Sequence, residues 1–337
     1  MSVLERKAEL VDRFQRRVTY LRLSITDRCN LRCTYCMPER MTFAPRRDLL
    51  SLNELLRLAD AFIARGVTRI RVTGGEPLVR RDAVPLLTAL GTRLGRGLEE
   101  VTLTTNATQL AAHAGAIRDA GVNRINISLD TLDRATFTRL ARFDALPQVL
   151  DGIAAAKAAG LHVKLNAVVM KGVNDGHLSD LIAWAHDARL DVTLIEVMPL
   201  GDVAADRLDQ YVPLTAVRQQ LEDRWTLRPS PYRSGGPARY VDVVETGGRL
   251  GFITPLTNNF CGGCNRLRVT ATGQMFPCLG GGEQIDLRSA MRAVDEDVAF
   301  DAALDEAMRR KPERHHFMIG APGALPSQPR HMSVTGG

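Results

Sequence analysis

The sequence lacks a long apolar run. Nowhere in its 337 residues does a stretch approach the roughly 18 uncharged apolar positions that a membrane-spanning helix requires. The first residues, Met1 to Lys7, carry mixed charges and lack the apolar core of a secretion signal. We therefore expect a cytoplasmic protein that has no membrane partner.

Lysine is scarce, and the basic residues do not form runs. Of the 44 basic residues only 5 are lysine and 39 are arginine, against 38 acidic residues, which gives a net charge of +6. A GC-rich genome also produces a high arginine content. The interspersed charges differ from the concentrated basic runs of a nucleic-acid-binding surface. The balance therefore favours a small anionic ligand over nucleic acid.

The cysteines fall into two sets of three, with none left over. The first set is Cys29, Cys33 and Cys36, and the second is Cys261, Cys264 and Cys278. A disulfide framework is not expected in a cytosolic protein, and a structural zinc site needs a fourth ligand, whereas no histidine lies close to either set in sequence. Three thiolates on a [4Fe–4S] cluster leave one iron open to bind another molecule. We expect two such clusters, with zinc as the alternative for the second set.

Six strand patterns, with helical patterns between most of them, run along the first part of the chain. Strand patterns occupy 21–25, 69–73, 101–105, 124–129, 162–169 and 192–198, and helical patterns follow at 51–66, 110–120, 149–159 and 178–188. Such alternation favours a parallel sheet covered by helices. We therefore predict an α/β fold for residues 1–214, a partial six-repeat TIM-like barrel, (β/α)6.

The pattern changes in the remaining residues, 215–337. A helix is expected at 215–224, followed by short strands at 240–245, 250–254 and 266–270 with glycine turns between them. The second cysteine set lies among these strands. We predict a smaller C-terminal α+β domain that carries the second cluster.

Polar or chemically distinctive residues follow each of the six predicted strands. They are the first cysteine set, Gly74–Pro77, Thr104–Asn106, Ser128 with Asp130, Asn166, and Glu196 with Met198. In barrel enzymes the working residues lie at the carboxyl ends of the strands. Because all of these residues come at the same end of their strands, we predict that they form one active-site rim.

The motifs resemble a known family. Cys-Asn-Leu-Arg-Cys-Thr-Tyr-Cys at 29–36 is similar to the signature of the radical SAM superfamily, in which the aromatic residue packs beside adenine. Together with the segments 21–38, 71–78, 103–106, 125–130 and 261–268, Cys278 and the terminal Gly336-Gly337, it resembles the GTP 3′,8-cyclase (MoaA) family of molybdenum cofactor biosynthesis. The resemblance implies two [4Fe–4S] clusters, one binding S-adenosylmethionine and the other guanine. It also implies a 5′-deoxyadenosyl radical that takes hydrogen from ribose C3′, after which C3′ attacks C8 to give 3′,8-cyclo-7,8-dihydro-GTP.

The resemblance also assigns site residues. Contacts to S-adenosylmethionine fall on Tyr35, Gly75, Ser128 and Met198; contacts to GTP on Arg22, Arg71, Thr104, Lys164, Arg266 and Arg268; and catalytic roles on Arg22, Arg266, Arg268, Gly336 and Gly337. No Gly-x4-Gly-Lys-Ser/Thr loop is present, so side chains must hold the triphosphate, for which arginine offers bidentate donors. Before the terminal glycines stands Thr335, where the family usually has an aliphatic residue.

The partners that the resemblance implies are GTP, a flavodoxin- or ferredoxin-like electron donor, and cyclic pyranopterin monophosphate synthase as receiver of the product. The oligomeric state stays open, with a homodimer as one arrangement. One alternative function is another two-cluster radical SAM enzyme acting on a peptide or an RNA. A second is a zinc- or cluster-bearing nucleic-acid-binding module without catalysis.

Overall fold

The computed structural model describes residues 7–201, 207–319 and 326–336. Its strands are β1 Tyr20–Ser24, β2 Arg69–Thr73, β3 Glu100–Thr105, β4 Arg124–Ser128, β5 His162–Val169, β6 Asp191–Glu196, β7 Leu227–Pro229, β8 Arg239–Val243, β9 Gly248–Ile253, β10 Arg266–Val269, β11 Gln274–Phe276 and β12 Ile285–Asp286. Its helices are α1 Leu52–Ala64, α2 Ala83–Gly91, α3 Ala114–Asp119, α4 Arg134–Ala141, α5 Leu146–Ala158, α6 Leu178–Asp187, α7 Arg207–Gln210, α8 Leu214–Glu222, α9 Leu287–Met291, α10 Glu296–Arg310 and α11 Met332–Thr335. None of these helices combines the length and apolar character needed to cross a bilayer.

The strands β1 to β6 lie side by side in chain order, and each pairs parallel to the next. A doubly wound sheet would reverse its strand order part of the way across, whereas a barrel keeps the order of the chain. The predicted partial six-repeat barrel is therefore confirmed.

Six further strands extend this sheet at both edges. One three-stranded ribbon, β9-β8-β7, continues from β6 through the parallel pair β6–β9. The other, β10-β11-β12, continues from β1 through the parallel pair β1–β10. The strands after residue 214 thus belong to the same 12-stranded sheet as the barrel, although they come last in sequence.

The barrel strands turn apolar side chains outward and polar ones inward. Leu21, Leu23, Ile70 and Val72 are fully buried in the layer between strands and helices. Successive strand residues point to opposite faces, so the residues between them face the interior. This alternation gives the barrel a polar and charged lumen.

A capping box begins α1. The hydroxyl of Ser51 accepts a hydrogen bond from the Glu54 amide at 3.3 Å, and the Glu54 carboxylate accepts one from the Ser51 amide at 2.8 Å. On the buried face of α1, Phe62 meets Phe300 of α10 edge-on, with ring centroids 6.2 Å apart. A helix from the end of the chain thus anchors the first helix of the barrel.

Candidate active site

The first cysteine set surrounds a cavity at the carboxyl ends of the barrel strands. Cys29, Cys33 and Cys36 lie in the loop after β1 without forming a disulfide, and all three line a space of about 1060 Å³. No three His, Cys, Asp or Glu side chains in the described ranges are gathered tightly enough to hold a single metal ion. Three cysteines around one cavity are a donor set of the kind that a [4Fe–4S] cluster uses.

The residues expected to contact S-adenosylmethionine all line this first cavity. They are Tyr35, Gly75, Ser128 and Met198. Thr104, expected to contact GTP, lines it as well. The structure therefore brings together side chains from the cysteine loop and from the ends of four strands.

Gly74 and Gly75 allow the end of β2 to pack against the cysteine loop. A Cβ on Gly75 would stand 2.4 Å from the carbonyl oxygen of Arg28, and one on Gly74 would stand 2.6 Å from that of Thr26. The amide of Gly75 donates to the Thr26 carbonyl at 2.7 Å. Because Gly74 and Gly75 have no side chains, the end of β2 can lie against the cysteine loop. Gly75 also faces the cavity.

Glu76 joins the ends of β2 and β3 beneath the cavity. Its carboxylate is fully buried and accepts hydrogen bonds from the Leu78 amide at 2.9 Å, the Thr105 hydroxyl at 2.8 Å and the Asn106 amide at 2.6 Å. Burial raises the pKa of Glu76 to about 7, although these three donors act in the opposite direction. Glu76 therefore has a structural role, because it holds the ends of β2 and β3 together beside the cysteine loop.

Tyr35 and Cys29 are fixed by polar contacts from other strands. The Tyr35 hydroxyl donates to Asp130 at 2.9 Å, and Asp130 also accepts from the Val168 amide at 2.8 Å. Burial raises the pKa of Asp130 to about 6. The Cys29 sulfur accepts from the side-chain amide of Asn106 at 3.6 Å. Strands β3, β4 and β5 thereby hold the first cysteine loop.

The second cysteine set lines a second cavity, inside the barrel. This space measures about 1100 Å³, and its wall includes Cys261, Cys264 and Cys278 together with Arg22, Arg71, Lys164, Arg266 and Arg268. The ribbon β9-β8-β7 contributes Ile253 and Ala238 to the same wall. The two ribbons thus close the open side of the barrel around this cavity.

Strand register places the interior cations next to one another. Arg22 on β1 pairs with Arg71 on β2 and with Arg268 on β10. Burial, followed by the charges of Arg268 and Arg71, lowers the pKa of Arg22 well below its ordinary value. Burial and then Arg266 lower the pKa of Arg268 to about 9, and burial followed by Arg71 lowers that of Lys164.

Four of the cations in this wall stand apart from the carboxylates that the structure describes. Among the described residues, Arg71, Lys164, Arg266 and Arg268 form no ion pair with a carboxylate. Buried like charges are costly unless an opposite charge lies between them. The second cavity is therefore a site for a polyanion.

Several buried polar atoms facing the cavities have no hydrogen-bond partner in the described part of the chain. They are Tyr20 Oη, Thr104 Oγ1, Asn126 Oδ1, Asn166 Oδ1 and Arg266 Nε. Folded proteins leave few such atoms unsatisfied, so each of these five atoms needs an explanation. A ligand that supplies donors and acceptors accounts for all of them at once.

The two cavities share a wall. Asn166, Ile195, Met198 and Met332 line both of them. A molecule on the first cysteine set and one on the second would thus be neighbours. This arrangement suits a reaction between two bound molecules with water kept out.

The tail reaches into the barrel. Gly336 has φ +76°, its carbonyl oxygen accepts a hydrogen bond from Arg268, and a Cβ on it would stand 2.0 Å from the Thr73 hydroxyl. Thr335, in place of an aliphatic residue, is buried, and its carbonyl faces Arg268 at 3.5 Å. Gly337, for which a catalytic role is expected, lies outside the described residues.

Sequence reasoning missed several residues of the second cavity. Tyr20 and Asn126 line it, and each stands two positions before an assigned residue, Arg22 and Ser128. The two-residue period of a strand could have found both. His315 also lines the cavity, but no local pattern marks it because it lies in an irregular segment after α10.

Two family models match the chain. Residues 23–185 match the radical SAM superfamily, and residues 190–317 match Molybdenum Cofactor Synthesis C. The chain is 67% identical over 330 residues to a GTP 3′,8-cyclase of Erythrobacter litoralis, covering 98% of this chain and 99% of that protein. It is 54% identical over 329 residues to a GTP 3′,8-cyclase of Brucella ovis, covering 97% and 96% of the two chains.

Solved structures show the same fold at lower identity. Streptococcus suis SuiB bound to S-adenosylmethionine has a TM-score of 0.60 at 17% identity, over 87% of this chain and 68% of that one. Native anSMEcpe with bound AdoMet and a peptide has a TM-score of 0.54 at 14% identity, over 85% and 83%. These likenesses concern the fold alone.

Proposed function

The chain belongs to the GTP 3′,8-cyclase family of the radical SAM superfamily, and we propose that its two cavities divide the reaction between a cofactor side and a substrate side. The reaction is the cyclisation of GTP to 3′,8-cyclo-7,8-dihydro-GTP, the first step of molybdenum cofactor biosynthesis. Residues 1–214 supply the cofactor side and part of the substrate side. Residues 215–337 supply the second cysteine set and the tail.

Two [4Fe–4S] clusters and S-adenosylmethionine are the cofactors of this reaction. Cys29, Cys33 and Cys36 would hold the first cluster, and Cys261, Cys264 and Cys278 the second. Bound S-adenosylmethionine supplies the one-electron chemistry by which ribose C3′ becomes able to bond to guanine C8. The chain's own part at this side is to position the cofactor with Tyr35, Gly75, Ser128 and Met198.

GTP occupies the second cavity in this proposal. The observation that carries it is a cavity wall that combines the second cysteine set with Arg71, Lys164, Arg266 and Arg268, which form no ion pair with a carboxylate of the described residues. A cluster on this cysteine set would leave one iron open for the base. Arg22, Arg71, Lys164, Arg266 and Arg268 bind the triphosphate and offset its charge. Thr104 lies on the first-cavity side of the shared wall and contacts the substrate from there.

The tail acts as part of the site. Gly336 lies where a side chain would not fit, and Arg268 holds its carbonyl oxygen. In this place the tail and Met332 help to exclude water from the shared space. The proposal extends a catalytic role to Gly337 as well, although this residue lies outside the described ones.

Two further partners complete the proposal. A flavodoxin- or ferredoxin-like protein donates the electron, and a cyclic pyranopterin monophosphate synthase receives the product. Both partners, like GTP, are expected in the cytoplasm, where we place this protein.

Anaerobic reconstitution tests the proposal. We expect about eight irons per chain, four for each cluster, together with 5′-deoxyadenosine formation that is slow without GTP and much faster with it. Cys33→Ser should abolish cleavage of S-adenosylmethionine, whereas Cys278→Ser should leave cleavage without GTP intact and abolish GTP conversion. A chain that binds zinc tightly and takes up no iron would exclude this function.

A further inference from the structure

Lys311 is a buried lysine beside the second cysteine set. It directly follows α10, and only 1% of its surface is exposed. Its ammonium donates to the carbonyl of Pro277 at 2.7 Å and to that of Arg266 at 3.0 Å, and it lies 3.6 Å from the sulfur of Cys264. Pro277 precedes Cys278, so a single ammonium group joins the segments that carry two of the three cysteines.

Lys311 has no acidic partner among the described residues, whose ion pairs do not include it. Burial of an ammonium group is costly unless an anion lies close to it. The nearby Arg16 provides a contrast within the same region. Its guanidinium also holds loop carbonyls, those of Cys261 and Pro312, but it pairs with Asp12 at 2.6 Å. Of the three groups to which its ammonium donates, only the sulfur of Cys264 can carry a negative charge, as a ligating thiolate.

The sulfur of Cys264 thus lies 3.6 Å from a charged ammonium group. The first cysteine set is held differently. There the sulfur of Cys29 accepts from neutral amides, those of Leu31 at 3.3 Å and Asn106 at 3.6 Å.

We propose that Lys311 is a positioning residue, the internal counter-ion through which the chain holds the second iron–sulfur cluster. This inference rests on the proposed function, because it requires a cluster on Cys261, Cys264 and Cys278. Hydrogen bonds to ligating sulfurs and nearby positive charge stabilise a thiolate-bound cluster and set its reduction potential. Lys311 supplies both to the second cluster, while the carbonyls of Arg266 and Pro277 fix its place.

The test uses the full chain with Cys29, Cys33 and Cys36 replaced by Ala, so that only the second set can bind a cluster. After anaerobic reconstitution, loss of the cluster to an iron chelator is followed by its visible absorbance. Lys311→Met should speed the loss about tenfold or more, which corresponds to about 1.4 kcal/mol. Lys311→Arg keeps the charge and should restore most of the retention. The exposed Lys157 serves as the matched control, because Lys157→Met should leave the rate unchanged.

A second readout separates a counter-ion from a lysine that only supports the fold. In the iron-free chain Lys311→Met removes a buried charge, so its denaturant midpoint should stay the same or rise. A merely structural lysine would lower the midpoint as well, and that result would overturn the proposal. Unchanged cluster loss in Lys311→Met would overturn it too, while leaving the cyclase function intact. If the unsubstituted second set takes up no iron, the proposed function and this inference fall together.

Discussion

Neighbouring strands place arginines side by side inside the barrel, and this juxtaposition determines what the cavity can bind. Arg22 stands in register with Arg71 on one side and Arg268 on the other. Arg22 lies two residues after Tyr20, and Arg268 lies two residues after Arg266. Because alternate residues of a strand share a face, all of these side chains face the lumen. Like charges held this way by backbone pairing cannot move apart, and a bound triphosphate relieves their repulsion.

Arg266→Ala should weaken GTP binding by roughly 10- to 150-fold, the equivalent of about 1.5–3 kcal/mol for a charge-assisted hydrogen bond. The guanidinium Nε of Arg266 is buried without a partner in the described residues, which fits a contact to a ligand. Calorimetric titration of the anaerobic, iron-loaded protein measures the change. Arg228→Ala, at an exposed position of β7, is the control and should bind GTP normally. If both variants bind GTP with equal affinity, Arg266 makes no contact with GTP.

Glu76 should make the free energy of unfolding depend on pH. Its pKa in the folded chain is about 7, above the ordinary 4.5, so the folded state retains a proton that the unfolded state releases between these values. The stability from this proton is fully present below about pH 4.5 and is lost as pH rises through about 7, on the order of 3 kcal/mol. Denaturant midpoints should therefore fall over this window, and Glu76→Gln should flatten the fall. The exposed Glu222→Gln, as a control, should leave the slope as it was.

The individual elements differ in how readily the sequence reveals them. Strands β2 and β5 were predicted with the observed bounds, because apolar residues alternate there between glycine-rich flanks. Helices α2, α4 and α10 were missed. In α10 only Phe300, Leu304, Ala307 and Met308 are buried, a narrow stripe in a largely charged segment. Such a narrow apolar stripe can be recognised as the buried face of a helix only when α1 is known to pack against it.

The sequence motif indicated where the tail lies, but it could not indicate which residues the tail contacts. The terminal glycines suggested a role in the site, whereas nothing local reveals that Thr73 and Arg268 surround Gly336. Those contacts join residues far apart in the chain. They depend on the completed sheet, which no short pattern describes.

Gly336→Ala should expel the tail from this place. Its φ of +76° is costly for an L-residue, and the new Cβ would collide with the Thr73 hydroxyl at 2.0 Å. We expect GTP conversion to fall at least about tenfold, the equivalent of about 1.4 kcal/mol, while S-adenosylmethionine is still cleaved without GTP. Product assays for both reactions check this. Gly115→Ala, where an added Cβ meets nothing within 4 Å, should convert GTP at the original rate.

Across the whole molecule, the cationic lumen matters more than the modest net charge of +6. Composition alone indicated a preference for anions but could not say where the charge is concentrated. The alternation of polar and apolar residues along β1 to β6 carries that information, once the strands are known to close around a lumen. The sequence therefore predicts the barrel, and most residues assigned from its motifs line one of the two cavities, but it does not predict the wall that the cavities share.

Inorganic tripolyphosphate should raise the melting temperature of the iron-free chain, because it offsets the repulsion between the interior cations. At 100 times its Kd a ligand adds about 2.7 kcal/mol to the free energy of unfolding. Guanosine, which carries no phosphate, should leave the melting temperature nearly unchanged in the absence of iron. A shift of similar size with guanosine would contradict a phosphate site among these arginines.

The position of the last strands has a consequence for truncation and for evolution. Since β9 covers the edge of β6 and β10 covers that of β1, a chain cut near residue 214 would present two bare strand edges, which are prone to aggregate. The severed remainder would keep two short ribbons with no sheet of their own to join them. We therefore expect that gene fusion would not exchange residues 215–337 as a free-standing module.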